Sequence, residues 1–114
     1  MMYDEPQPLT KAELITALES GDSDKISRAL TSAALHHPDR AYVETLVVQF
    51  IGHSDPWVRG VAALAAGHVA RVHRQLSREI VPLIEGLLSD TRTSGKAQDA
   101  LDDIGIFVSG GALS

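Results

Sequence analysis

Asp55-Pro56-Trp57-Val58-Arg59-Gly60-Val61-Ala62-Ala63-Leu64-Ala65-Ala66-Gly67 is the stretch on which the fold turns. Aspartate followed by proline is a strong helix start. The carboxylate can accept from free N–H groups of the first turn, and proline occupies a position where no N–H is needed. Val58, Val61, Ala62, Ala65, Ala66 and Val69 then recur at steps of three and four, the spacing of one helical face. From Val61 to Ala66 the segment is apolar nearly all round. That predicts a helix covered on both flanks, with side chains small enough for its neighbours to approach closely.

The same spacing extends outward in both directions. Upstream lie Leu14, Ile15 and Leu18, then Ile26, Ala29, Leu30, Ala33 and Ala34, then Val43, Leu46, Val47, Phe50 and Ile51. Downstream lie Ile80, Leu83, Ile84, Leu87 and Leu88, then Ala97, Ala100, Leu101, Ile104 and Val108. No stretch alternates with period two, so the expected class is all-α, with six helices and no strand. Thr10 with Glu13 predicts a capping box, and Asp22-Ser23 a second cap. Pro38-Asp39 separates the second and third helices. Ser77 is a candidate cap for the fifth helix, and Thr91, Thr93 and Ser94 compete for the sixth.

Short gaps between stripes predict antiparallel helical hairpins. The hairpins repeat in sequence. A shift of 32 lays Leu14, Ile15 and Leu18 on Leu46, Val47 and Phe50, and Ile26, Ala29, Leu30 and Ala33 on Val58, Val61, Ala62 and Ala65. A shift of 37 lays the third stripe on the fifth, and 39 lays the fourth on the sixth. Two consecutive helices matching at one shift is the stronger sign of repetition. The expectation is a single domain over 1–114: three stacked hairpins at about 9–36, 39–72 and 77–108, and a fraying tail at 109–114. A four-helix bundle with added helices is the structural alternative.

The Asp55–Gly67 segment resembles the second-helix signature of HEAT repeats: an Asp-Pro start, Val-Arg in the first turn, then small residues and a glycine. The resemblance covers residues 43–72. Val-Arg occurs once; Ile26-Ser27 and approximately Gly95-Lys96 stand in its place in the outer hairpins, as is common in capping repeats. It implies a short right-handed solenoid of the armadillo/HEAT type whose second helices line a concave face. An arginine beside an acidic cap can then bridge successive turns.

The chain has 114 residues, 44% hydrophobic and 22% charged, a globular balance for one domain. Fifteen acidic and ten basic side chains give a net charge of −5, the wrong sign for a generic nucleic-acid binder. There is no cysteine, which removes disulfides, thiolate chemistry and cysteine-ligated zinc. The acidic N-terminus lacks an apolar signal core, and the longest apolar tract, Val61 to Ala66, is too short to span a bilayer. The expected location is the cytoplasm, with no membrane and no nucleic acid as partner.

Residues that could carry chemistry are few. His36, His37, His53, His68 and His73 form no HxxxH or HExxH pair, and the His-Glu dipeptides of the HEAT-type hydroxylases are absent. Neither a Gly-x-Ser-x-Gly elbow nor a complete phosphate loop is present. No catalytic residue, metal ligand or cofactor is therefore assigned, and the expected class is non-enzymatic. Two surface features remain. Trp57, the single tryptophan, opens the fourth helix. It either packs against the corner between the third and fourth helices or anchors an interface. Asp99, Asp102 and Asp103 lie on the polar side of the sixth helix, either as a solvated face or as an acidic patch for a basic partner. A smaller basic cluster, Arg71, His73, Arg74 and Arg78, surrounds the loop between the fourth and fifth helices, where it either pairs internally with Glu79 or touches a phosphate or acidic partner.

A small, acidic, three-hairpin chain is similar in kind to bacterial immunity proteins, some of which are HEAT-like and neutralise a toxin domain. That analogy implies a protein partner of basic character, with Trp57, Asp99, Asp102 and Asp103 as the partner-binding residues. The alternatives are an enzyme-associated module like the HEAT-like chromophore lyases, and a self-associating scaffold. Four per cent aromatic content and three hairpins are meagre for enclosing a pigment.

Overall fold

The computed structural model describes residues 7–108. Within them the chain forms six α-helices and no strand. They are α1 (Lys11–Leu18), α2 (Ser23–His36), α3 (Arg40–Phe50), α4 (Pro56–His73), α5 (Ile80–Glu85) and α6 (Ser94–Phe107), with a 3-10 turn, Gly86–Ser89, following α5. The all-helical class is as the periodicity requires. The tail expected to fray, 109–114, lies outside the described residues.

Helix α4 is the centre. It packs against α2 on one side and α6 on the other, with α3 beneath. Ten of its eighteen residues are buried, against three of fourteen in α6, so α4 is the helix with neighbours on both flanks. Close approach depends on missing side chains. A Cβ on Gly60 would stand 2.7 Å from Lys96 Cδ, and one on Gly67 would stand 3.3 Å from the Ala100 Cα. The two glycines are seven residues apart, two turns on one face, so α6 lies directly on the α4 backbone. Burial of Val58, Val61, Ala62, Val69, Leu30, Val43, Val47 and Ile84 in one cluster supplies the apolar driving force.

The helix starts were largely legible. Thr10 and Glu13 form the capping box. Asp22, Asp39 and Asp55 accept from backbone N–H groups at the starts of α2, α3 and α4. Asp55 also accepts from the Ser23 hydroxyl, tying the start of α2 to the start of α4. Arg59 continues the line: it donates to the carbonyls of His53 and Ser54 and reaches Asp90 Oδ2 at 3.4 Å, just before α6. Arg59 thus ties the α3–α4 turn to the turn that precedes α6.

The starts of α5 and α6 differ from expectation. Ser77 does not cap α5; its backbone N–H and its hydroxyl both donate to Glu44 of α3, and no side chain caps α5. Glu44 is 7% exposed and also accepts from Arg40 Nη1 at 2.6 Å, so a buried carboxylate holds the α4–α5 connection against α3. Thr93 stands at the N-cap of α6 but makes no cap bond; its hydroxyl donates to the Leu87 carbonyl at 2.8 Å. Leu83 and Leu88, expected in the core, are exposed large apolar side chains, as is Ile15. Helix α5 holds its α-form for only six residues before tightening into the 3-10 turn, where the angular spacing changes and Leu88 leaves the apolar face.

Candidate partner-binding face

Helix α4 packs against both α2 and α6, and the residues singled out from the sequence lie on α4 and α6. Trp57 sits in the first turn of α4 because Asp55 caps that turn by accepting from the Trp57 N–H at 2.8 Å. Its side chain is not sealed into the α3–α4 corner: it is 54% exposed. The Lys96 ammonium of α6 lies 3.9 Å from the ring centroid, a cation–π contact. Gly60 makes room for it, since the Lys96 stem occupies the space a side chain there would fill.

The three aspartates of α6 divide. Asp99 and Asp102 are exposed, and Gln98 Nε2 donates to Asp102 Oδ1 at 3.0 Å. Asp103 is half-buried on the α4 side of the helix, where its carboxylate would lie 3.3 Å from a Cβ on Gly67. It is therefore a seam residue and not part of the polar face. Its charge favours protonation of His68 on α4, but burial, helped by the Arg71 charge, holds the imidazole pKa below its ordinary value. None of the three acids makes an ion pair among the described residues; the ion pairs there are Asp24–Arg28, Glu44–Arg40 and Asp90 with Arg59 and Arg92.

Trp57 and the acids thus belong to adjoining helices, joined through Lys96, which precedes Asp99 by three residues on α6. The basic cluster disperses. The Arg74 guanidinium lies 4.9 Å from the Phe107 ring centroid, and Arg71 Nη2 lies 3.5 Å from His68 Nδ1. Among the described residues no group of three or more His, Asp or Glu is placed to hold a metal ion. No helix there is long and apolar enough to cross a membrane.

Ile106 was missed by the sequence reading. It is 70% exposed, the most open of the large apolar side chains. The signal was available: Ile104 and Val108 belong to the buried stripe, and a residue two places from each falls away from it on a helix.

The sequence matches no protein-family model, and no curated protein matches it. A solved structure does. The chain is similar to one in the crystal structure of a CDI complex from Cupriavidus taiwanensis LMG 19424, with a TM-score of 0.81 and 28% identity over 94% of this chain and 97% of that one. This likeness ties the six-helix arrangement to a protein of nearly the same length, solved in a complex.

Proposed function

We propose that the chain is a non-catalytic, protein-binding inhibitor of the immunity type, which binds and neutralises a toxin domain. The observation that carries this reading is the near full-length likeness to a chain of a CDI complex, CDI being contact-dependent inhibition, a toxin–immunity system. The net charge of −5 fits the member of such a pair that meets a basic surface, because opposite fields speed encounter. We read the three hairpins as a short HEAT-like right-handed solenoid. The support is the row formed by α2, α4 and α6 together with Arg59, which reaches from the start of α4 to Asp90. The partner meets the face of the second helices, with Trp57, Asp99 and Asp102 contributing; Asp103, grouped with them in the sequence, lies against Gly67 in the α4–α6 seam. The inhibitor works in the cytoplasm of a bacterial cell, needs no cofactor, and engages neither nucleic acid nor membrane.

The test is protection. A candidate toxin domain, sought among the genes neighbouring this chain's and in the similar CDI complex, is expressed in a susceptible host with and without the chain, and the two purified proteins are titrated against each other. Rescue of growth together with a stoichiometric complex is the expected result. A chain that neither rescues nor binds overturns the reading. A chain that only self-associates turns it toward the scaffold alternative.

A further inference from the structure

We infer that the outward face of α6 docks a basic protein surface, with Ile106 as the apolar anchor and Asp99 and Asp102 as its charged rim. This rests on the immunity reading and adds to it the anchor and the chemistry that meets it. Ile106 follows Asp102 by four residues and Asp99 by seven, so the three side chains stack on one helical face. At 70% exposure the isoleucine is largely open to solvent. Gln98 orients the Asp102 carboxylate, and neither acid is neutralised by an ion pair among the described residues. An exposed apolar side chain beside unpaired charges matches the combination of apolar anchor and polar margin found in protein interfaces.

Charge selects the occupant. An anionic lipid surface would be repelled by the rim carboxylates. A second copy in a twofold contact centred on this face would set the acids of one copy near those of the other, with no basic group on the face's own rim, among the described residues, to pair them. A protein surface with Lys or Arg around an apolar depression satisfies both the isoleucine and the acids. Trp57 is less suited to lead, because Lys96 already covers its ring and would repel a cationic partner. Asp103, on the α4 seam, is excluded from the rim.

The test uses as probe the toxin domain that the protection experiment identifies, with stopped-flow mixing and titration at low and high salt. Ile106→Ala should weaken the complex by about tenfold, mainly through faster dissociation. The double reversal Asp99→Lys with Asp102→Lys should slow association and flatten its salt dependence. Leu83→Ala, on α5, should change neither, and circular dichroism checks that all variants fold. A tight wild-type complex indifferent to Ile106→Ala and to the reversal overturns this inference and leaves the immunity reading standing. No wild-type complex overturns both. Binding of the wild type to phosphatidylserine vesicles, or a dimer abolished by Ile106→Ala, assigns the face to lipid or to a second copy and likewise overturns it.

Discussion

Helices α4 and α6 lie side by side, yet they answer to different constraints. On α4 a neighbour stands on each flank, and glycine and alanine occupy the positions where other helices arrive. On α6 the flank facing α4 is equally tight, with Ala97 and Ala100 fully buried, while the opposite side meets solvent and carries acids and an open isoleucine. Residue size therefore governs stability on one helix, and chemistry on the outward face of the other is free to serve recognition. Core positions at native packing density do not yield to added volume, whereas exposed ones do.

The largest expected effect is enlargement within α4. Ala66→Leu or Ala62→Leu should destabilise the fold by about 1–3 kcal/mol through overpacking, since both alanines are fully buried. The same enlargement on α6, Asp99→Leu, should stay within about 0.5 kcal/mol. Denaturant midpoints measure both, and equal shifts would erase the contrast between the helices. Next come the two seam glycines. At Gly67 a Cβ meets the Ala100 backbone at 3.3 Å, which cannot swing aside; at Gly60 it meets only the flexible Lys96 stem. Replacing glycine with alanine inside a helix ordinarily gains about 0.8–1.0 kcal/mol. Gly60→Ala should retain more of that gain than Gly67→Ala. It should also push Lys96 off the indole, which the fluorescence of the single tryptophan reports directly.

Smaller effects come from titration. Asp90 has its pKa drawn down to about 2, chiefly by hydrogen bonds from the Arg92 side chain and backbone, with the charges of Arg92 and Arg59 adding to them. A folded pKa below the unfolded one means stabilisation that is present above the ordinary carboxylate value and lost as pH falls through about 2. Asp90→Asn should therefore be less stable than the wild type at pH 7, with the gap closing towards pH 2. His68 has the opposite charge bookkeeping. Burial lowers its pKa from 6.5, so the unfolded chain takes up the proton first and stability declines as pH drops below that value. His68→Gln should flatten this decline in denaturant midpoints between pH 7.5 and 5.5, and a variant with an unchanged slope would show that the α4–α6 seam does not disfavour the imidazolium.

Most of the helix pattern could be read directly because its causes are local. Asp55-Pro56, Thr10 with Glu13, and the three- and four-residue spacing each act within a turn or two of the chain. Burial of Glu44 could not be read, because its partner Ser77 is 33 residues away; Ser77 had the chemistry of a cap and spent it on another helix. Trp57 illustrates the same limit. Its place at the start of α4 follows from the cap, but its exposure and its lysine cover depend on where α6 comes to rest. The candidate face was half legible: Asp99 and Asp102 project outward as the pattern implies, while Asp103, one residue on, turns into the seam.

What the sequence determined by itself is the set of helices, the capped starts of the first four, and the identity of α4 as the enclosed one. Periodicity, capping and side-chain volume are properties of short segments, and they act before any distant contact forms. Only the tertiary structure decided which acid faces solvent, which serine binds a buried carboxylate, and which isoleucine is left uncovered. Each of those depends on how one element rests against another: the α4–α5 connection against α3 for Ser77, and α6 against α4, where Gly60 and Gly67 let it settle onto the backbone, for the acids.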